Sequence, residues 1–184
     1  MLEYIIQGFY PGGKPISNWP YNKEQTGAVY AFISQLVEAY SKILAVEPWY
    51  DVLGCIYESL AASKGRKQGF GQFFTPINVC NVMAALTVSN EPDSKNNRIS
   101  DPCCGSGRLL LAEYAACVAA GAKDIRVTAC DLDRTCCMMT TVNFIFHGVI
   151  ATVYRGNSLT GDYNETWTVR RLGPIPYVSE IKKL

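Results

Sequence analysis

The most constraining feature of this sequence is residues 98–111, where a short strand, a glycine turn and the start of a helix follow one another. Pro102 lacks a backbone donor and therefore discourages the strand from continuing beyond Asp101. Gly105 and Gly107 come next, and glycines at this spacing allow positive φ angles and close approach of the backbone to a bound molecule. Because the helix that follows is apolar enough to be buried, the stretch predicts a nucleotide-type cofactor site at the carboxyl end of a strand.

Length and charge limit the classes of protein to which the chain can belong. Its 184 residues suffice for one domain, or for one domain and a small extension, with a substantial core. The 17 basic and 16 acidic residues nearly cancel, leaving a formal charge of +1. Whole-chain electrostatics therefore give no sign of unaided nucleic-acid binding, which would need a local basic patch or a partner.

Cysteine usage and hydropathy bear on metal binding and location. The chain has eight cysteines, none at Cys-x-x-Cys spacing, and a single histidine, so we expect no zinc site. Most of these cysteines lie among apolar residues, where cysteine behaves as a small hydrophobic side chain. The N-terminus has no basic region followed by an apolar core, and no run approaches the ~20 apolar residues of a membrane span. We expect a reduced, cytoplasmic protein without membrane contact.

The N-terminal part reads as an arm followed by two helices. Residues 1–23 are rich in Pro, Gly, Asn and aromatic residues, a composition typical of loops with apolar anchors. Apolar residues then recur at helical spacing over 29–44, and a second apolar helical face covers 52–60. Asp51 stands where it can cap this second helix. We interpret both helices as packing elements.

A loop over 64–76 separates these helices from the glycine turn, and it contains three basic residues, three glycines and three phenylalanines. Thr75 and Pro76 predict a helix start, with the hydroxyl accepting from free amides and the proline in the first helical position. Because such a helix terminus attracts carboxylates and phosphates, it could hold the anionic end of a ligand. The alternative is that Phe73 and Phe74 simply belong to the core.

A second strand follows the glycine turn and ends in acidic residues. Residues 125–130 predict a buried strand, and Asp131 at its end is suited to the two hydroxyls of a ribose. An acidic residue here can equally cap the next helix, and the two roles can be divided between Asp131 and Asp133. That helix, 134–146, ends at His147 before a glycine, so the histidine is interpreted as a helix-end residue rather than a catalyst.

A third strand at 151–154 completes two parallel βαβ units. Beyond it the pattern weakens, with one short candidate strand at 167–170 and two prolines before the chain ends.

The glycine turn itself distinguishes two cofactor classes. The dinucleotide fingerprint requires a small residue three positions after Gly107, and this sequence has Leu110 there. Asp101 would also repel a pyrophosphate, whereas it suits the positive sulfonium and amino groups of S-adenosylmethionine. We therefore favour S-adenosylmethionine, and a fragment of an NAD-type oxidoreductase is the disfavoured alternative.

Four motifs occur in a characteristic order: 71–76 (Gly-Gln-Phe-Phe-Thr-Pro), 101–107 (Asp-Pro-Cys-Cys-Gly-Ser-Gly), 131–133 (Asp-Leu-Asp) and 156–159 (Gly-Asn-Ser-Leu). Together they resemble the adenine-N6 DNA methyltransferases, above all the modification subunits of type I restriction-modification systems. The resemblance covers about residues 50–160. It implies an α/β, Rossmann-like S-adenosylmethionine-dependent methyltransferase fold, partial and with a parallel sheet core. On this basis the chain divides into an N-terminal arm and helical region, 1–68, and a cofactor-binding domain, 69–184.

The resemblance also implies roles for individual residues. Phe74, Thr75 and Pro76 would line the methionine end of the cofactor, with Thr75 near its carboxylate. Asp101, Pro102, Gly105 and Gly107 would form the central turn, Asp131 would bind the ribose hydroxyls, and Asn157 would meet the adenine edge. The family often has aspartate at this last position, but asparagine offers both a carbonyl and an amide to adenine.

The family's catalytic motif, Asn/Asp-Pro-Pro-aromatic after a fourth strand, is missing from this sequence. The nearest match, 173–177 (Gly-Pro-Ile-Pro-Tyr), has glycine in place of the side chain that binds the target amino group. The family's fourth strand flanks the first, so its absence would leave one edge of the strand at Ile99 open. We hypothesise that residues 167–178 or a second chain cover that edge.

The sequence leaves two candidate functions. The first is DNA adenine-N6 methylation together with a partner subunit or second chain, with a homo-oligomer as one form of the assembly. The second is a non-catalytic cofactor-binding or regulatory module of a restriction-modification or mobile-element system. The basic residues Lys64, Arg66 and Lys67 would contact DNA phosphates beside the pocket, or else form a solvated charge cluster.

Overall fold

The computed structural model describes residues 1–11, 20–63, 74–88 and 97–183. The basic residues at 64–67 lie outside this part, as does the domain boundary expected between 68 and 69, which stays a prediction. The described residues form six helices and five strands: α1 (Leu2–Gly8), α2 (Lys23–Leu44), α3 (Val52–Ser63), α4 (Ile77–Thr87), β1 (Arg98–Asp101), α5 (Arg108–Ala119), β2 (Arg126–Asp131), α6 (Arg134–His147), β3 (Ala151–Asn157), β4 (Asp162–Leu172) and β5 (Ile175–Lys183).

The strands form one mixed sheet in the order β1-β2-β3-β4-β5. β1, β2 and β3 are parallel, and α5 and α6 connect them, which confirms the two predicted βαβ units. β4 runs antiparallel to β3, and β5 runs antiparallel to β4. Because parallel strands begin at one edge of a sheet and end at the other, Asp101, Asp131 and Asn157 all lie at the carboxyl edge.

The core lies between one face of this sheet and the helices α5, α6 and α1. The side chains that alternate onto this apolar face are buried: Ile99, Val127, Ala129, Ala151, Val153, Trp167, Val169 and Val178. Further helices cover the outer side of this layer, since α4 packs against α5 and α3 against α6. From α2, the Tyr40 ring stacks on Phe146 with 4.2 Å between centroids.

The opposite face of the parallel strands, called the open face below, is polar. It carries Arg98 and Ser100 on β1, Arg126 and Thr128 on β2, and the half-buried Thr152 on β3. The predicted buried strand at 125–130 is therefore confirmed as a strand but is buried mainly on one face, because β2 alternates between exposed and buried side chains in its first half. Such alternation is usual for a sheet with one solvated face and unusual for parallel strands.

At the N-terminus, the prediction of loop structure throughout 1–23 is wrong in its first part. α1 forms because Ile5 and Ile6 bury their side chains against the core, where α1 packs on α6. Residues 12–19 of the predicted arm lie outside the described part. The capping prediction for Asp51 is confirmed, since its Oδ1 accepts a 2.8 Å hydrogen bond from the Gly54 amide.

At the C-terminus, the short strand expected at 167–170 is part of the 11-residue β4. β4 and β5 form a hairpin that pairs with β3, so the hypothesis that residues 167–178 cover the edge of β1 is wrong. The physical reason is that Trp167, Val169 and Val178 extend the apolar face beside β3. Pro176 is tolerated because β5 has no described strand on its outer side.

Candidate functional site

The glycine turn joins β1 to α5 and has the backbone that its sequence predicts. Gly105 and Gly107 have φ angles of 56° and 83°, which side-chain-bearing residues rarely adopt. A Cβ on Gly105 would lie 3.0 Å from the Phe74 ring, and one on Gly107 would lie 3.0 Å from the Thr140 methyl group. Thr140 also donates a 2.9 Å hydrogen bond to the Gly105 carbonyl oxygen. The turn is therefore close-packed on both sides and held from α6.

The predicted polar site residues Asp101, Asp131 and Asn157 lie at the carboxyl edge of the sheet. Asp131 accepts from the Gly105 amide at 2.9 Å through Oδ2, and from the Asp133 amide at 2.8 Å through Oδ1. Asp101 accepts from the Cys103 amide at 2.9 Å. Asn157 uses its side-chain oxygen to accept from the Leu159 amide at 3.0 Å. These side chains are thus oriented by backbone amides.

The electrostatics of this edge favour a cation. Burial raises the pKa of Asp101, and the negative charge of Asp131 raises it further. Burial and the charge of Asp101 likewise raise the pKa of Glu113 on α5, a residue that sequence reasoning did not single out. A bound positive charge would relieve the repulsion among these three carboxylates. The edge is therefore chemically suited to a cationic ligand and unsuited to a pyrophosphate.

The segment expected to line the methionine end lies against the turn. Arg108, the first residue of α5, donates a 3.1 Å hydrogen bond to the Thr75 carbonyl oxygen, and its guanidinium carbon is 5.6 Å from the centroid of the Phe74 ring. The prediction that the Thr75 hydroxyl caps α4 is wrong. Pro76 is the cap residue and α4 begins at Ile77, so Thr75 lies one position too early and no side chain caps the helix.

A buried hydrogen-bond network behind the turn was not anticipated from the sequence. Asp51 accepts from the Ser106 hydroxyl at 2.5 Å, from Arg108 Nε at 2.9 Å and from Asn143 Nδ2 at 2.8 Å. Asn143 also donates to the Ser106 carbonyl oxygen at 2.8 Å and accepts from the Tyr40 hydroxyl. The one signal in the sequence was a lone asparagine between apolar residues of α6.

The charge of Arg108 is held by two carboxylates. Burial disfavours the charged guanidinium, but hydrogen bonds and charges of Glu58 and Asp51 outweigh this and raise the pKa of Arg108. The Arg108–Glu58 ion pair measures 2.8 Å, and its glutamate is half-exposed. The network therefore connects α3, the Thr75 backbone before α4 and the glycine turn by hydrogen bonds.

The histidine and the buried cysteines have structural environments. His147 ends α6 before Gly148, as predicted, and its ring stacks on Trp49 with 5.8 Å between centroids. Burial lowers the pKa of His147 and raises that of the Cys137 thiol, the latter to about 12. Within the described ranges no group of His, Cys, Asp or Glu side chains is arranged to hold a metal ion.

The nearest match to the catalytic motif lies far from the carboxyl edge. β4 pairs with the end of β3 through Asp162 and with its start through Val169, so the β4–β5 turn at Gly173 lies at the amino edge. Residues 173–177 therefore lie at the opposite edge of the sheet from Asp101.

No helix in the described part of the chain is both long and apolar enough to cross a membrane.

The chain is similar in sequence to known proteins. Residues 49–172 match the family model described as N-6 DNA Methylase. The chain is similar to two proteins of Methanocaldococcus jannaschii: the type I restriction enzyme MjaVIII methylase subunit, with 30% identity, and the MjaVII methylase subunit, with 28% identity, each over 131 residues. These alignments cover 69% of this chain and 22% of each relative, so the chain spans about a fifth of their length. No solved structure matches.

Proposed function

Because this chain belongs to the N-6 DNA methylase family, we propose that it binds S-adenosylmethionine at the carboxyl edge of its parallel strands. In this proposal β1–β3 and their helices are the cofactor half of a Rossmann-like methyltransferase fold. A role in restriction-modification belongs to the same proposal, and the cytoplasmic location stays a prediction.

The observation that carries the proposal is the acidic edge beside the close-packed glycine turn. Asp101 would face the cationic methionine end, where its charge favours the sulfonium and amino groups. Each Asp131 oxygen accepts one backbone amide in the structure, which leaves lone pairs for the ribose hydroxyls. Asn157 would meet the adenine edge, and Phe74, Thr75 and Pro76 would close the methionine end.

Bound there, S-adenosylmethionine would supply an electrophilic methyl group for transfer to adenine N6 in DNA. The residues of this chain would bind and orient the cofactor. The Asn/Asp-Pro-Pro-aromatic motif that positions a flipped adenine is absent from the sequence, and residues 173–177 lie at the wrong edge. We therefore propose that methyl transfer requires a partner subunit or second chain.

The second candidate is a cofactor-binding module that transfers nothing. This candidate is favoured by the location of Gly173, which lies at the amino edge and therefore away from the proposed cofactor site. The two candidates share the cofactor site and differ only in the requirement for a partner and in methyl transfer.

Calorimetric titration with S-adenosylmethionine, followed by labelled methyl transfer to DNA of mixed sequence, tests both candidates. We expect binding by the chain alone. Absence of binding would contradict the cofactor proposal, whereas transfer only after a modification-type partner is added would support the first candidate. Binding without transfer under all conditions would support the module.

Asp131→Ala is the variant that tests the placement of the ribose. We expect it to weaken S-adenosylmethionine binding by about 1–3 kcal/mol, because the hydroxyls lose their acceptor. Glu38→Ala on the exposed side of α2 serves as the control and should bind normally. Equal affinity of Asp131→Ala and the parent chain would show that the ribose lies elsewhere.

A further inference from the structure

The open face of the sheet carries a row of arginines at the amino edge. Arg98 and Arg126 are direct partners in the parallel register of β1 and β2. Ala151 pairs with Val127 on one side and Val169 on the other, which places Arg170 of β4 in the same row. These arginines, together with Thr128 and Thr152, line a shallow cavity of about 210 Å³.

This row is electrostatically uncompensated in the described part of the chain. Like charges directly opposite one another on neighbouring strands destabilise a sheet. None of the described carboxylates forms an ion pair with Arg98, Arg126 or Arg170. The carboxylate on β5, Glu180, is held by Lys182 at 2.6 Å. An anionic ligand on this face would therefore remove a repulsion that the fold otherwise carries.

Size and chemistry favour a polymer over a single small anion. From β1 to β4 there are three strand spacings of about 4.8 Å, so the row extends over about 14 Å. A nucleic-acid strand presents one phosphate per about 3.4 Å of helix axis, and several phosphates fit along that length. Arginine and the hydroxyls of serine and threonine are the side chains that contact phosphates, and Ser100, Thr128 and Thr152 lie on the same face.

We propose that the open face binds the phosphodiester backbone of DNA, without reading its sequence, through Arg98, Arg126 and Arg170. The proposed cofactor site is at the other edge of the sheet, since β1 alone separates Arg98 from Asp101 by about 10 Å. The two sites are therefore distinct. The inference relies on the proposed function only for the choice of DNA as the nucleic acid.

Fluorescence anisotropy with a labelled duplex of mixed sequence tests this proposal, using the triple variant R98Q/R126Q/R170Q. We expect weaker DNA binding, and a salt dependence whose logarithmic slope falls by about 0.9 for each arginine removed. Arg171→Gln is a matched control, because its side chain faces the opposite way and lies 3.7 Å from the Cβ position of Gly148 at the end of α6. This control should bind DNA like the parent chain.

Several outcomes would overturn the proposal. The first is that the triple variant does not differ from its comparison, either because it binds DNA like the parent or because Arg171→Gln loses as much binding. The second is displacement of DNA by inorganic phosphate at concentrations where chloride has no effect, which would indicate a small-anion site. The third is a dimer, measured by light scattering, that the triple variant alone dissociates, because the face would then bind a second copy.

Two further measurements keep the result interpretable. Thermal unfolding should show the triple variant at least as stable as the parent, since like charges have been removed; if it fails to fold, Arg126→Gln alone replaces it. S-adenosylmethionine affinity should be unchanged in the arginine variant. A loss of DNA binding with normal cofactor binding supports this inference independently of the proposed function, and loss of both would contradict it.

Discussion

Gly107 and Gly121 have the same φ angle, 83°, but different surroundings. A Cβ on Gly107 would press on Thr140, whereas one on Gly121 would meet nothing within 4 Å. Both alanine variants carry the strain of a positive φ, about 1–2 kcal/mol. Only Gly107→Ala adds crowding, which in packed sites costs a further ~1–3 kcal/mol.

We therefore expect Gly107→Ala to be less stable than Gly121→Ala in chemical denaturation. It should also bind S-adenosylmethionine more weakly, because displacing Thr140 disturbs its hydrogen bond to the Gly105 carbonyl. Equal stability and equal affinity of the two variants would show that the turn tolerates movement of α6.

For single residues, predictions from the sequence were correct where the interacting residues are close together in the chain. The positive φ of Gly105, the cap of Asp133 on the Cys136 amide and the helix-end position of His147 all depend on residues a few positions apart. Asn143 could not be assigned, because its partner Asp51 lies 92 positions away. The cofactor contacts of the site residues stay predictions.

At the scale of elements, the contact between Asp51 and Arg108 joins the start of α3 to the helix that follows the glycine turn. Asp51→Asn keeps an acceptor for the Gly54 amide but removes the charge that faces the buried guanidinium. Breaking one partner of a buried ion pair costs about 3–5 kcal/mol. Glu58→Gln removes the half-exposed partner of the same arginine and should cost about 0–1 kcal/mol.

Urea denaturation of both variants measures this difference in the free energy of unfolding. If Glu58→Gln is as destabilising as Asp51→Asn, the exposed pair rather than the buried network holds Arg108. The Asp51→Asn variant should also lose S-adenosylmethionine affinity, because Ser106 belongs to the turn.

Elements with a strong local pattern were predictable, and the C-terminal hairpin was not. The βαβ units follow from alternating apolar runs and helix signals, which residues 98–154 contain. In this segment Pro174 and Pro176 obscured the apolar alternation of β4 and β5, although β3 and β4 are neighbours in the chain and pair as a hairpin. The hairpin joins the edge beside β3 because the connection from Asn157 to Asp162 is short, and the burial of Trp167 and Val178 stabilises this arrangement.

For the whole molecule, His147 makes stability dependent on pH. Its Nδ1 lies 2.7 Å from the Asn143 carbonyl oxygen, which fits a neutral ring donating from Nδ1, and Nε2 has no partner among the described residues. Burial lowers its pKa below the ordinary 6.5, so the unfolded chain binds the proton more readily than the folded one. The stability that His147 contributes is thus complete above pH 6.5 and is lost as the pH falls below it.

Thermal melts across this range should show a drop in melting temperature below pH 6.5. His147→Gln should reduce that drop, because the chain has no other histidine. A parent and variant with parallel pH profiles would assign the acid sensitivity to carboxylates instead.

The hairpin of β4 and β5 also determines how this sheet can grow. On the hairpin side of the sheet, the strands β4 and β5 are antiparallel to each other. The outermost strand, β5, carries Pro176 and two lysines, which discourage pairing with a further strand. On the other side no described strand pairs with the outer edge of β1. A parallel strand added there would end beside Asp101. The molecule that contributes this strand would place the residues at the strand's carboxyl end beside the acidic edge. Pairing with β1 and delivery of those residues to the candidate site would then be a single event.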